Sequence, residues 1–153
     1  MVFIDYRNLE IYHAAHQFVL DTYEIVKSFP QYEDNNLTSQ LRRAATCLPL
    51  NIAEGSGARS NKIFLNYLIF CYRSCLECQA ALSLARDLKY VTLEQHTLHY
   101  QKLDSFIRRL YRYMQYLEGK IGNRKEDKTM WYRHEKWKAD QEVKTREGMG
   151  KLA

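Results

Sequence analysis

The sequence LTSQLRRAATCLPLNIAEGSGARS, residues 37–60, combines a helical pattern with a residue that helix interiors rarely accept. Its apolar side chains recur at steps of three and four residues, which predicts a helix over residues 38–54 with one buried face. The members of that face are Leu41, Ala45, Leu48 and Ile52. Gly55 and Gly57 follow, and we expect them to end the helix because glycine adopts a positive φ at little cost.

Pro49 lies inside this predicted helix. An interior proline lacks the N–H that would bond to the carbonyl of Ala45, and its ring clashes with that carbonyl, at a cost of about 3 kcal/mol or more. The proline therefore needs a structural reason, which the helical pattern alone does not provide.

Three further segments show the same apolar spacing and predict long helices over residues 8–29, 61–89 and 93–119. The face predicted for the first is Leu9, Tyr12, His16, Val19, Tyr23 and Val26. The faces of the other two are Phe64, Leu68, Cys71, Cys75, Cys78, Leu82 and Ala85, and Leu103, Ile107, Leu110, Met114 and Leu117. Ser60 is the expected N-cap of the helix that starts at residue 61. Four long helices with short connections predict an all-α fold, an antiparallel up-down four-helix bundle over residues 1–119.

Residues 120–153 form a charged C-terminal extension without a sustained apolar face. Residues 1–119 hold 13 basic and 12 acidic side chains and residues 120–153 hold 10 and 6, so most of the net charge of +5 falls in the extension. Within it, aromatic and basic side chains alternate: Trp131, Tyr132, Arg133, Lys136, Trp137 and Lys138. We expect a disordered segment or a helix that orders on a partner.

Hydropathy and cysteine content predict a cytoplasmic protein without a membrane segment. No apolar run approaches the roughly 20 residues that span a bilayer, and the charged start MVFIDYRNLEIYH is not that of a signal peptide. The four cysteines of such a chain are expected to be reduced thiols.

Two groups of side chains could suggest a metal site. Cys71, Cys75 and Cys78 have the spacing of a radical SAM cluster motif, but they occupy consecutive core positions of a predicted helix, where cysteine acts as a small apolar residue. Two H-x-x-H pairs, at residues 13–16 and 96–99, lack the Glu-x-x-His partners of dimetal bundles. We interpret both groups as packing or surface residues and expect no metal.

No nucleophile with a base and no phosphate-binding glycine loop can be recognised, since the GSG at residues 55–57 follows a helix and lacks the Lys-Ser/Thr of a P-loop. The sequence therefore predicts a protein that is not an enzyme and needs no cofactor. A bundle-type metalloenzyme remains as an alternative, to be tested by metal content.

Clustered basic side chains give the stronger indication of function. The candidates are Arg42, Arg43, Arg59, Lys62, Arg108, Arg109 and Arg112, together with Arg133, Lys136 and Lys138 of the extension. With the tyrosines at positions 111, 113 and 116, such groups suit phosphate contacts and base stacking. They predict RNA or DNA binding, with an ordinary solvated face as the alternative.

The opening stretch also resembles the characteristic motif of the 23S rRNA intervening-sequence protein family, bacterial four-helix-bundle proteins. The matching residues are Leu37-Thr38-Ser39-Gln40-Leu41-Arg42-Arg43-Ala44-Ala45, Pro49, Asn51-Ile52-Ala53-Glu54-Gly55, Gly57 and Ser60. The resemblance covers roughly residues 8–118. The sequence departs from the family pattern at four positions. Cys47 replaces a serine, Ile63 replaces a glutamate, and Gln79 stands at an often acidic position. Arg59 lies one residue later than the usual arginine of the family.

The resemblance implies a homopentamer with a poorly defined biochemical role. It also implies similarity in fold to the accessory variability protein of diversity-generating retroelements, which engages a reverse transcriptase and nucleic acid. We therefore predict a non-enzymatic oligomeric accessory protein that binds nucleic acid, with a reverse transcriptase as a candidate partner. The alternative is a homo-oligomeric scaffold whose main partner is protein.

The family motif also offers a role for Pro49, since it places a proline at the same point. We interpret it as a deliberate kink that carries Asn51 and Glu54 into polar contacts. These contacts would be mutual hydrogen bonds, hydrogen bonds with the freed backbone, or contacts with another subunit.

Overall fold

The computed structural model describes residues 4–121, which form four α-helices and no strand. The helices are α1 (Glu10–Ile25), α2 (Leu37–Ser56), α3 (Asn61–Asp87) and α4 (Leu93–Ile121). Short 3₁₀ turns lie at Tyr6–Asn8, Val26–Ser28 and Gln31–Glu33. The all-α class predicted from the sequence is confirmed. The predictions for Trp131, Tyr132, Arg133, Lys136, Trp137 and Lys138 lie outside the described residues.

Each helix packs against two others: α1 on α2 and α4, and α3 on α2 and α4. The connections are short, so consecutive helices run antiparallel, as in an up-down bundle. We call the end that holds the α2–α3 turn, residues 57–60, the proximal end. The end that holds the other two connections, residues 26–36 and 88–92, is the distal end.

The predicted faces of three helices form the core. All the side chains predicted to be buried in α2, α3 and α4 are buried. Ser60 is the N-cap of α3, as predicted, because its Oγ accepts a hydrogen bond from the N–H of Ile63 at 3.3 Å. The heptad spacing of these three helices is therefore sufficient to orient them.

The predicted face of the first helix is wrong. The buried residues of α1 are Ile11, Ala15, Phe18, Thr22 and Ile25, whereas five of the six predicted members are exposed or half-buried. Both sets follow steps of three and four residues. Thr22 can enter the core because its hydroxyl donates to the Phe18 carbonyl at 2.8 Å.

Helix α2 continues through Pro49 to Ser56, beyond both the proline and Gly55. The prediction that Gly55 and Gly57 adopt a positive φ is wrong, since Gly57 has φ −80° and Gly55 lies within the helix. Gly55 is needed for a different reason: it faces α3 where the two helices approach most tightly.

The side chains after the proline have separate polar partners. Asn51 Nδ2 donates to the Cys47 carbonyl at 2.7 Å, in the turn before Pro49, and the Tyr67 hydroxyl donates to Glu54 Oε1 at 2.9 Å. Asn51 therefore bonds to the backbone beside the proline, at the Cys47 carbonyl and not at the Ala45 carbonyl that Pro49 frees. Glu54 instead joins α2 to α3.

Candidate functional site

A cleft of about 860 Å³ lies at the proximal end of the bundle. Its walls come from the chain before α1, the α2–α3 turn, the start of α3 and the last turns of α4. The lining residues are Ile4, Leu9, Ser56, Ala58, Arg59, Ser60, Asn61, Phe64, Tyr113, Tyr116, Leu117 and Lys120. The cleft thus combines an apolar floor with basic, amide and aromatic side chains.

Three aromatic rings run along one side of the cleft. Phe64 is buried and lies edge-on to Tyr113, with ring centroids 5.7 Å apart, and Tyr113 lies 5.8 Å from Tyr116. Tyr113 is half-buried, and burial raises the pKa of its hydroxyl. The series therefore passes from a fixed core residue to Tyr116, whose ring is about half exposed.

The charge of the cleft is positive. Among its lining residues within positions 4–121, the cations are Arg59 and Lys120, both exposed, and none is acidic. Neither cation forms an ion pair with any residue between positions 4 and 121. Lys120 Nζ instead lies 4.5 Å from the centroid of the Tyr116 ring. A cation that is not neutralised by a carboxylate is available to an anionic ligand.

The other basic residues predicted on the bundle do not line this cleft. Lys62 is exposed at the start of α3. On α4, Arg108 pairs with Asp104 and Arg109 Nη1 lies 2.9 Å from Glu10 Oε1. Each of these two positive charges is therefore offset by a carboxylate.

Arg112 is exposed on α4 and has no acidic partner among the residues that the structure describes. It stays a candidate for phosphate contact, although it lies outside the cleft.

Arg42 and Arg43 lie far from the cleft. Arg42 is fourteen residues before the end of α2 at Ser56, which is about 21 Å at 1.5 Å per residue. Its guanidinium lies 5.9 Å from the Tyr23 ring centroid of α1. The basic residues predicted from the sequence therefore belong to at least two separate regions of the bundle.

Lys120 is a cleft residue that the sequence does not predict, because its position suggests the start of the charged extension. The structure extends α4 to Ile121, so Lys120 is helical. Its separation of four residues from Tyr116 is the available signal, because residues four apart share a helix face.

A smaller groove of about 420 Å³ follows the contact between α1 and α4. Lys102 Nζ, on its wall, lies 2.7 Å from Asp21 Oδ2. Because cations and carboxylates are paired across it, this groove has no surplus charge for a ligand.

The cysteines of α3 lie in the core of the bundle. Cys71, Cys75 and Cys78 are buried, and burial raises the pKa of Cys75 and Cys78 well above the usual thiol range. Between residues 4 and 121, no group of three or more His, Cys, Asp or Glu side chains is placed to hold a metal ion. None of the four described helices is long and apolar enough to cross a membrane.

His99 joins two helices, since its Nδ1 lies 2.9 Å from the Gln95 carbonyl and its Nε2 lies 3.1 Å from the Asp21 carbonyl of α1. His13 Nε2 lies 2.7 Å from the Arg7 carbonyl. One histidine of each H-x-x-H pair is thus used in a backbone contact.

A solved structure of another protein has a similar fold. A crystal structure of a protein of unknown function from the S23 ribosomal protein family of Bacteroides thetaiotaomicron superposes with a TM-score of 0.64 at 20% sequence identity. The match covers 68% of this chain and 97% of that protein. No curated protein is significantly similar to the chain.

A family model described as 23S rRNA-intervening sequence protein matches residues 7–112. This range contains most of the four helices and the whole of the proline-containing stretch. The chain therefore belongs to the 23S rRNA-intervening sequence protein family.

Proposed function

We propose that the chain is a non-enzymatic, oligomeric accessory protein that binds nucleic acid. The observation that carries the proposal is the proximal cleft, which is lined by the exposed ring of Tyr116 and by two cations, Arg59 and Lys120, that form no ion pair within residues 4–121. Guanidinium and ammonium groups bind phosphates, and aromatic rings bind the faces of bases. One cleft thus offers both kinds of contact that a nucleic acid strand requires.

The size of the cleft also supports the proposal. Pockets for small organic molecules enclose about 300–1,000 Å³, a range that includes this volume of about 860 Å³. The exposed cations Lys62 and Arg112 add positive charge to the proximal half of the bundle, where a longer strand would continue.

Self-association is the second part of the proposal. Leu50 of α2 and Phe70 of α3 are large apolar side chains on neighbouring helices and are 63% and 50% exposed. They lie at one level of the bundle, because the Cys71 thiol donates to the Leu48 carbonyl between α2 and α3. An exposed apolar surface of this kind supports assembly with further copies, and we propose the homopentamer that the family resemblance implies.

The resemblance to the accessory variability protein of diversity-generating retroelements motivates one further partner, a reverse transcriptase. Co-purification with a reverse transcriptase encoded nearby is expected, and its absence would leave nucleic acid as the main partner. The same apolar surface favours the second candidate function, a scaffold whose partner is another protein and which has no affinity for nucleic acid.

Fluorescence anisotropy with a labelled RNA of about 20 nucleotides tests nucleic-acid binding. We expect log affinity to fall linearly with log salt between about 50 and 200 mM, because phosphate contacts release counterions. The double variant Arg59→Ala/Lys120→Ala is expected to bind about tenfold or more weakly, and its salt slope is expected to fall by about 2.

The matched control is Lys27→Ala/Arg73→Ala, which removes the same charge from exposed sites outside the cleft. An equal loss of RNA affinity in both double variants would mean that the net charge of the protein, and not a specific site, determines binding. Absence of salt-dependent binding to RNA and DNA, together with a stable oligomer in light scattering, would favour the scaffold.

A further inference from the structure

We infer that the proximal cleft takes an unpaired nucleotide, so that the protein binds single-stranded nucleic acid in preference to a duplex. The inference rests on the proposed function and specifies the class of ligand. It follows from the presence of the Tyr116 ring and the two cations in the lining of one cleft, and from the groups that single strands and duplexes present to such a site.

The Tyr116 ring is placed as a stacking surface. Its neighbour Tyr113 packs edge-on against the buried Phe64, and this contact supports the position of both tyrosine rings. Besides the neighbouring Tyr113 ring, the ammonium of Lys120 lies over the exposed ring of Tyr116, 4.5 Å from its centroid. An exposed cation–π contact is weaker than the stacking of a base on an aromatic ring, so an entering base can replace the ammonium.

When a base replaces the Lys120 ammonium on the Tyr116 ring, the ammonium stays close to the bound nucleotide. Its flexible side chain starts one helical turn after Tyr116, so the ammonium can turn from the ring to the phosphate of the stacked nucleotide. Arg59 lines the same cleft from the α2–α3 turn. The nucleotide is then held by its base on α4 and by its phosphates between two cations.

Asn61 adds a group that can recognise a base edge. It is half-buried in the first turn of α3, and its amide forms no hydrogen bond within the described part of the chain. An amide offers two donors and an acceptor, which suits the edge of a splayed base and has no counterpart in a phosphate contact.

A duplex can use the two cations but not the aromatic ring. Its bases are stacked on each other, and it presents phosphates along its outside. A duplex at the proximal end would therefore contact Arg59 and Lys120 but not the face of Tyr116. Removal of the ring should weaken single-strand binding alone, whereas removal of a cation should weaken both.

The test uses the full chain and three labelled ligands of equal length and sequence, each of about 12 nucleotides or base pairs: an RNA strand, the matching single-stranded DNA and the DNA duplex. We expect the single strands to bind about tenfold more tightly than the duplex. Tyr116→Leu should weaken single-strand binding about five- to tenfold and leave the duplex affinity within about twofold. Tyr116→Phe, which keeps the ring, is the matched control and should bind like the wild type.

Because Tyr116 is exposed, Tyr116→Leu is expected to fold, which its helical circular dichroism will verify. The ratio between RNA and DNA affinities identifies the sugar that is preferred, and the inference stands if either single strand shows the ring dependence. Equal affinities for single strands and duplex, or an unchanged single-strand affinity of Tyr116→Leu, would overturn the inference and leave the proposed function intact. Absence of binding to all three ligands would overturn both.

Discussion

Gly55 of α2 lies against Phe64 of α3 so closely that a Cβ atom on the glycine would stand 2.5 Å from Phe64 Cδ2. The same atom would stand 2.7 Å from Cβ of Tyr67. Neither neighbour can withdraw easily, because Phe64 is buried against Tyr113 and the Tyr67 contact is at the base of its side chain. The approach of the two helices therefore requires a residue without a side chain at position 55.

Gly55→Ala is expected to destabilise the protein by about 1–3 kcal/mol, the usual cost of forcing extra atoms into a packed interface. Urea unfolding followed by circular dichroism measures the change. The control is Gly119→Ala, where an added Cβ meets nothing within 4 Å and alanine favours the helix by up to about 1 kcal/mol. If both variants shift stability in the same direction, the close approach does not determine the residue.

Leu48 and Leu50 lie two residues apart in α2 and differ completely in environment, with exposures of 0% and 63%. Leu48→Ala should cost about 2–5 kcal/mol, because it removes buried methyl groups and leaves a cavity. Leu50→Ala should change the stability of the isolated subunit by no more than about 0.5 kcal/mol. Urea unfolding compares the stabilities of the two variants.

Light scattering of Leu50→Ala also tests the proposed assembly surface. An unchanged oligomer would argue against a role for this side chain.

His96 gives the fold a pH dependence in the neutral range. The side chain is only 7% exposed, and its Nε2 has no hydrogen-bond partner within residues 4–121. Burial, and then the nearby Arg86, lower the pKa of His96, while Asp87 opposes them. Because the unfolded chain then binds the proton more readily, stability is complete above about pH 6.5 and decreases as the pH falls below that value.

We expect thermal unfolding to show a Tm that falls between about pH 7.5 and 5.5, on either side of the ordinary histidine pKa. His96→Phe should reduce this dependence, because phenylalanine fills the site without titrating. His16→Asn, at an exposed position of α1, should leave the dependence as it is. A wild-type pH profile in His96→Phe would assign the effect to another group.

Glu33 acts in a lower pH range, and it lies in the connection between α1 and α2 at the distal end. Its Oε2 accepts from the Leu37 N–H at 3.1 Å, and its Oε1 accepts from the Tyr90 hydroxyl at 3.0 Å. The Leu37 N–H is the main cause of the lowered pKa of this carboxyl, with Tyr90 and Asn36 contributing against the effect of burial. Its stabilising effect is therefore present above about pH 4.3 and is lost as the pH falls through the lowered pKa.

Glu33→Gln should lower the Tm at about pH 7, because the amide cannot accept all three hydrogen bonds that the carboxylate accepts. It should also show a smaller loss of Tm between about pH 5 and 3 than the wild type. Glu24→Gln is the control, since Glu24 is exposed and pairs with Lys27 alone within the described region. Identical acid profiles for the wild type and Glu33→Gln would contradict the assigned role.

The buried residues of α2, α3 and α4 could be predicted from the sequence, because each helix has a single apolar stripe with heptad spacing. The sequence was insufficient for α1, where two stripes one residue out of register both satisfy that spacing and only packing against α2 and α4 distinguishes them. The role of Gly55 was equally hidden, since conformational freedom and close approach both select glycine, and only the position of Phe64 separates them.

The cleft could not be predicted because its residues come from three separate segments of the chain, around residues 4–9, 56–64 and 113–120. Charge counting also treated Arg108 and Arg109 as equivalent to Arg59, although the first two are paired with carboxylates. Distances in space, rather than the number of basic residues, decide which cations remain available to a ligand.

The contact between α1 and α4 joins the first helix of the bundle to the last. It contains the groove of about 420 Å³, and two ion pairs, Glu10–Arg109 and Asp21–Lys102, cross it. Salt screens such surface pairs, and within residues 4–121 no ion pair crosses the other three helix contacts. The contact between α1 and α4, which closes the bundle, is therefore expected to weaken as ionic strength rises. Hydrogen exchange in α1 is expected to respond to salt before exchange in α2 and α3 does.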